Sequence, residues 1–181
     1  YNAASRDLKA AHWNGWSWSV ESVYAFGDVG RFAEIDLDSQ GNPRIACFDV
    51  TSAVLKISRY DGNAWSTSTV APGEDTGNNN PYEGSGRIGF TLTPDDDEWY
   101  TFLTGTIGGQ GNRCTCNLSF ASWEQSTDTW GYGKVDEGEF GHTDWTHYTD
   151  IGRYSDIEID GDGNPHVGYY GRIVTGEDVL G

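Results

Sequence analysis

The sequence predicts an all-β chain folded as a β-propeller of four-stranded antiparallel sheets, and three observations carry that expectation. Glycine supplies 25 of 181 residues and aromatics 14%, with no methionine, a composition that favours short strands and tight turns over helices. Runs of alternating apolar and polar residues are separated by compact turn signals. The run-and-turn pattern also repeats, with an offset of 47 residues between Leu8 and Leu55, and four strands per unit at such a period is the signature of a propeller.

Residues 1–27 read as the second half of a unit, because LKAAHWNGWSWSVESV from Leu8 matches LKISRYDGNAWSTSTV from Leu55. Residues 28–71 form a complete unit. Its first turn is Ser39-Gln40-Gly41-Asn42-Pro43 and its last is Asp61-Gly62-Asn63, both rich in residues that accept turn backbone. Residues 85–136 form a second complete unit with an inserted loop. There GRIGFTLTPDDDEWYTFL replaces the Gly-Asn-Pro turn by Asp95, Asp96, Asp97 and Glu98, while Phe90 and Leu92 fall where Ile35 and Leu37 do. Residues 150–181 are the first half of a unit, since GRYSDIEIDGDGNPHVGYY from Gly152 aligns without gaps on GRFAEIDLDSQGNPRIACF from Gly30. Trp18, Trp65 and Trp130 are equivalent positions.

In strands, this amounts to three units' worth, whereas propellers close with about four to eight. Three arrangements satisfy the count: a piece of a larger propeller, several copies completing a ring by exchanging half-units, or a closed three-unit fold. Tyr1 falls inside an expected strand, so a mature or clipped product is expected.

The chain carries 28 acidic against 11 basic residues, a formal net charge of −17. That charge opposes the counterion release behind nucleic-acid binding and the attraction to anionic lipid, and it suits a solvated, secreted surface. No run approaches the ~20 apolar residues that span a bilayer as a helix. Cys47, Cys114 and Cys116 form neither a disulfide framework nor a double CxxC zinc cage.

The repeated G-R-[FY]…D-x-x-G-N-P-[RH]-[IV]…L-K…D-G-x-x-W-S pattern resembles the secreted sialidase-like, Asp-box propellers, also called BNR-repeat proteins. The resemblance covers most of the chain outside three insertions. The Asp-box hairpin itself is matched loosely by Ser58–Ser66, HWNGWSWS and SWEQSTDTW. It implies that Trp18, Trp65 and Trp130 pack sheets, and that the protein is extracellular or at the cell surface.

Segments 71–85 and 136–150 are links between units, and 104–117 is a second-to-third loop. In a four-stranded meander all three lie at one end, and long loops held by a rigid scaffold are where binding concentrates. Segment 136–150 gathers His142, Asp144, Trp145, His147 and Tyr148, a mixture suited to sugars, whose C–H faces stack on indole and whose hydroxyls need donors and acceptors. Tyr82 belongs to the 71–85 insertion at the same end. Arg31 and Arg153 open equivalent first strands there. Arg87 is a doubtful third member because it falls one position late, which turns a strand side chain to the other face.

The first functional expectation is an extracellular propeller module that binds carbohydrate or another surface ligand, or a structural part of a larger assembly. The alternative is a fragment of a polysaccharide-acting enzyme. The resemblance implies a sialidase-like hydrolase, in which arginines grip a substrate carboxylate and a Tyr–Glu pair with an Asp acid performs the chemistry. A polysaccharide lyase would use a His or Tyr base. No local motif fixes a catalytic set. Asp160, Asp162 and Asn164 open like an oxygen-ligand calcium loop but lack its downstream Glu, so a plain hairpin turn is the stronger expectation and no cofactor is implied. Self-association or further units of a parent chain are the other expected partners.

Overall fold

A computed structural model describes residues 4–70, 88–108, 113–137 and 148–174. The described residues form an all-β protein of twelve strands with no helix, arranged as four antiparallel arrays of two, four, four and two strands. The chain divides into two compact units, residues 1–71 and 72–181.

In the first unit, β1 (Leu8–Trp13) and β2 (Trp18–Tyr24) form a hairpin. β3 (Val29–Leu37), β4 (Pro43–Asp49), β5 (Val54–Tyr60) and β6 (Trp65–Thr69) follow as a meander in chain order. The hairpin packs on the meander through buried Leu8, Val29, Ile45 and Cys47, with Ala10, Val23, Tyr24 and Trp65 around them. Each fully buried aliphatic side chain in such a layer contributes about 1.5–3 kcal/mol. Trp65 is partly buried against this cluster and its Nε1 donates to Glu21 at 3.0 Å, whereas the equivalent Trp18, expected to pack sheets as well, stands 65% exposed.

In the second unit, β7 (Gly89–Leu92), β8 (Glu98–Gly108), β9 (Arg113–Glu124) and β10 (Thr129–Asp136) make the second meander. β11 (Tyr148–Ile159) and β12 (Pro165–Val174) make a hairpin. One parallel bridge, Asp150 to Cys116, ties the hairpin to β9. Across this layer Thr101 Oγ1 donates to Ser155 Oγ at 3.0 Å, and Leu118 and Ile157 are buried.

The repeat read from the sequence is also a repeat of backbone geometry. Gly30 and Gly152 have φ of +101° and +97°, and the aromatic residues two positions later, Phe32 and Tyr154, have φ of +55° and +54°. The pairing register shifts at the same two places in both copies. Such paired bulges re-aim a strand and increase its twist. At each bulge the glycine approaches the preceding sheet so closely that a Cβ would lie 2.9 Å from the Leu8 Cα at Gly30 and 3.1 Å from the Leu118 Cα at Gly152. Leu8 and Leu118 are themselves repeat equivalents.

The turns repeat as well. Asp38 N–H donates to the Asn42 carbonyl at 2.9 Å, Asp160 N–H to that of Asn164 at 3.0 Å, and Thr93 N–H to that of Asp97 at 2.9 Å. Asp96 takes the positive φ, +67°, that Gly41 and Gly163 supply in the sibling turns. The alignment of Phe90 and Leu92 with Ile35 and Leu37 therefore holds in the backbone. At the opposite side of each sheet, Trp13–Trp18, Tyr60–Trp65 and Trp123–Trp130 face one another across the last hairpin, with ring centroids 5.6, 5.2 and 6.5 Å apart.

One expectation is revised by the strands. Segment 104–117 is not a loop throughout, because Thr104–Gly108 and Arg113–Asn117 continue the β8–β9 ladder. Thr104, Thr106, Ile107 and Thr115 are β-branched and favour extended backbone, which outweighs the glycines in the same stretch. Strand β11 likewise starts at Tyr148, inside the expected link 136–150.

Candidate functional site

The bulged start of β3 carries Arg31 of the expected site. Val50 N–H donates to the Asp28 carbonyl at 2.8 Å, and the Asp28 N–H to Thr51 Oγ1 at 2.7 Å. Asp49 accepts from the Thr51 and Ser52 N–H groups at 3.0 and 3.2 Å. These bonds fasten the start of β3 to the β4–β5 turn, so Arg31 stands at the end of the sheet where the second-to-third turn lies. Its guanidinium meets the Asp28 carboxylate at 3.2 Å. The ion pair is partly screened from water, with the two side chains 26% and 11% exposed, so it is held more firmly than a surface pair.

Arg153 occupies the same slot of β11, opposite Tyr170 as Arg31 is opposite Phe48. The residue three before it, Asp150, matches Asp28, which extends the repeat to Asp-[Val/Ile]-Gly-Arg-[Phe/Tyr]. The acidic member was missed in the sequence reading although the spacing signals it. A guanidinium beside its own carboxylate has less net attraction for an anionic ligand while keeping donors for hydroxyl and carbonyl oxygens.

Of the remaining candidates, Tyr82, Arg87, His142, Asp144, Trp145 and His147 lie outside the described residues. Tyr148 opens β11 as a backbone position. Among the described residues no group of three or more His, Cys, Asp or Glu is placed to hold a metal ion. Cys47 is a free thiol whose burial pushes its pKa up to about 12, which leaves it unreactive at neutral pH.

The turn at Asp160 uses its own oxygens. Asp160 Oδ1 accepts from the N–H groups of Asp162 and Asn164, each at 2.9 Å, and Oδ2 lies 2.9 Å from His166 Nε2. The sibling turn repeats the motif, with Asp38 Oδ2 3.8 Å from Arg44. The His166 bond and then the Asn164 backbone bond hold the Asp160 carboxyl well below the usual carboxylate range. A lowered folded-state pKa gives stability that is present above the unfolded value of ~3.9 and lost as pH falls through the folded value. Replacing His166 with Ala is expected to move the Asp160 titration upward, towards ~3.9, in a carboxyl-detected NMR pH series. An unmoved midpoint would show that the backbone donors alone set it.

Two further features were not legible as site signals. Tyr100 donates a hydrogen bond to Glu98, and both side chains are fully buried. On the outer hairpin Trp13, Trp16, Trp18 and Phe26 are exposed, Trp16 at 92%. Comparison of the chain with protein-family models, curated proteins and solved structures finds no match.

Proposed function

We propose that this chain is an extracellular β-propeller module that binds carbohydrate at the end of its sheets where the Gly-Arg bulges lie. The observation that supports this most is the repeated corner at Gly30–Phe32 and Gly152–Tyr154, in which a bulge of the same geometry sets an arginine at the same end of each array. In the second unit the β8–β9 hairpin lies at the corresponding end of its own array. Repeated first strands with one polar corner are what radially arranged sheets need around a shared channel.

The internal Asp28–Arg31 pair favours a neutral, hydroxyl-rich ligand over a carboxylated one, because an acid sugar would compete with a carboxylate already 3.2 Å from the guanidinium. It counts against a sialidase-like clamp. The Tyr–Glu contact among the described residues, Tyr100–Glu98, is enclosed and offers a substrate no access. Recognition therefore ranks above the hydrolase and lyase readings.

A glycan array probed with the 181-residue chain is expected to give hits dominated by neutral sugars. Replacing Trp145 with Ala should weaken the best hit at least about tenfold, the scale of one lost sugar–indole stack. A blank array, or hits confined to sialylated and uronate-containing glycans with Arg31→Ala abolishing them, would overturn this reading.

A further inference from the structure

We infer that Asn14 is a site of spontaneous deamidation in the folded chain: the Gly15 backbone nitrogen displaces the side-chain amide nitrogen, and water opens the resulting ring to leave aspartate at position 14. Asn14-Gly15 is the one Asn-Gly pair among the 181 residues, and it lies exposed in the tight turn that joins β1 to β2. Glycine matters here because no Cβ stands beside the attacking nitrogen. The space a Cβ would occupy at Gly15 has nothing within 4 Å, so the approach is open.

The turn presents the reacting atoms. Asn14 Oδ1 accepts from the N–H groups of Trp16 at 3.0 Å and Ser17 at 2.9 Å, two donors at the oxygen on which negative charge gathers as the nitrogen adds to Cγ. Asn14 Nδ2 donates to Ser17 Oγ at 3.3 Å, which puts a hydroxyl beside the departing group. In the first step Gly15 N gives its proton to hydroxide and forms the N–Cγ bond, while the Cγ–Nδ2 bond breaks and Nδ2, protonated by water, leaves as ammonia. In the second, water adds to Cγ, the N–Cγ bond breaks, Gly15 N recovers a proton and the side chain becomes a carboxylate. Nothing is oxidised or reduced. The other described asparagines are blocked or hindered. Asn42 and Asn164 precede proline, whose nitrogen has no proton to lose. Asn63 precedes Ala64, whose methyl group lies next to the attacking nitrogen, and Asn117 is buried in the β8–β9 ladder opposite Thr104.

The sibling turn shows the product in place. Asp61-Gly62 stands between β5 and β6 where Asn14-Gly15 stands between β1 and β2. The backbones agree: Asp61 N–H donates to the Ala64 carbonyl at 3.2 Å as Asn14 N–H does to that of Ser17, and Gly62 has φ of +90° beside +97° at Gly15. Asp61 Oδ1 accepts from the N–H groups of Asn63 and Ala64, each at 2.8 Å, the same two positions that serve Asn14 Oδ1. The Ala64 and then the Asn63 N–H hold the Asp61 carboxyl below the usual carboxylate range, so this pair of donors favours the charged form. Aspartate at position 14 therefore keeps the turn and gains charge-assisted bonds, which are stronger than those to a neutral amide. Isoaspartate, formed when the ring opens at its other carbonyl, inserts a methylene into the backbone and breaks the match. Aspartate is the product that the fold retains.

The experiment ages the 181-residue chain in mildly alkaline buffer, with its circular dichroism unchanged, and maps its peptides by mass spectrometry. The Asn14 peptide is expected to gain about one dalton, at a rate at least about tenfold above that of the Asn63 peptide, whose attacking nitrogen is flanked by a Cβ. The rate should lie within about tenfold of that in the urea-unfolded chain, because the two donors to Oδ1 support the forming oxyanion. Asn14→Gln, whose side chain would have to close a larger ring, should abolish the gain. Asn14→Asp, made directly, should show a higher urea midpoint than the parent chain. No gain at Asn14, or a native rate more than about tenfold below the unfolded one, would mean that the turn shields the residue and would overturn the site. Isoaspartate as the main product, read with an isoaspartyl methyltransferase, or an Asn14→Asp midpoint at or below that of the parent chain, overturns the part given to the sibling turn.

Discussion

Replacing Gly30 with Ala is expected to lower the unfolding free energy by about 2–6 kcal/mol, and Gly152→Ala by a similar amount. Two effects combine at each position. A φ near +100° is open to glycine and strained for any residue with a Cβ, at about 1–3 kcal/mol. The new methyl must also push against the adjoining sheet, 2.9 Å from Leu8 Cα at one site and 2.8–3.1 Å from Leu103 and Leu118 atoms at the other. Backbone cannot rotate out of the way as a flexible side chain can, and overpacking of this kind costs about 1–3 kcal/mol more.

The two contributions can be separated within the same molecule. Gly15 has φ of +97° and a Cβ there meets nothing within 4 Å, so Gly15→Ala should show the backbone strain alone. Gly41→Asp should be milder still, because the equivalent turn already holds Asp96 at φ +67°. Urea unfolding of the four variants should therefore order them Gly30 and Gly152, then Gly15, then Gly41. A Gly30→Ala midpoint shift no larger than that of Gly15→Ala would mean that the close approach to Leu8 is not a tight contact. The bulge would then lose its claim to set the packing of successive sheets.

How much of this was readable beforehand follows from the range of each interaction. The turns at Asp38, Asp160 and Asp61 were legible because their chemistry is local, with an aspartate accepting from N–H groups two to four residues on. The alternation of Phe90 and Leu92 against Ile35 and Leu37 was legible because strand period fixes facing. The extension of β8 and β9 was not, since glycines read as loop until their β-branched neighbours find partners across the ladder. The Asp28 partner of Arg31 sat at a repeated spacing and was overlooked. Glu98 offered no signal at all, because a carboxyl group is normally on the surface and only the assembled strands bury it.

That buried carboxyl group makes the second large prediction. Glu98 and Tyr100 lie two apart on β8 and hence on one face, both 0% exposed, with the tyrosine hydroxyl donating to Glu98 Oε2. The Tyr100 ring is held in a row of aromatics, 5.2 Å from Phe90 and 6.1 Å from Trp130, so it is fixed when the hydroxyl is removed. Tyr100→Phe keeps that packing and withdraws one donor from a buried carboxyl oxygen, which should cost about 1.5–3 kcal/mol. Glu98→Gln, which keeps volume and weakens the acceptor, should cost about 1–3 kcal/mol. The double variant should be less destabilised than the two losses combined by at least about 1 kcal/mol, because Tyr100→Phe removes the bond that Glu98→Gln weakens. Additivity to within about 0.5 kcal/mol would show that the contact contributes nothing. The same pair also decides between a structural and a catalytic role. An enclosed pair that holds the sheet together lowers stability and leaves glycan binding at the sheet end unchanged. A Tyr100→Phe chain that keeps its full unfolding midpoint yet loses hydrolysis of a sialylated substrate would instead restore the hydrolase reading and require a conformation in which β8 is open to solvent.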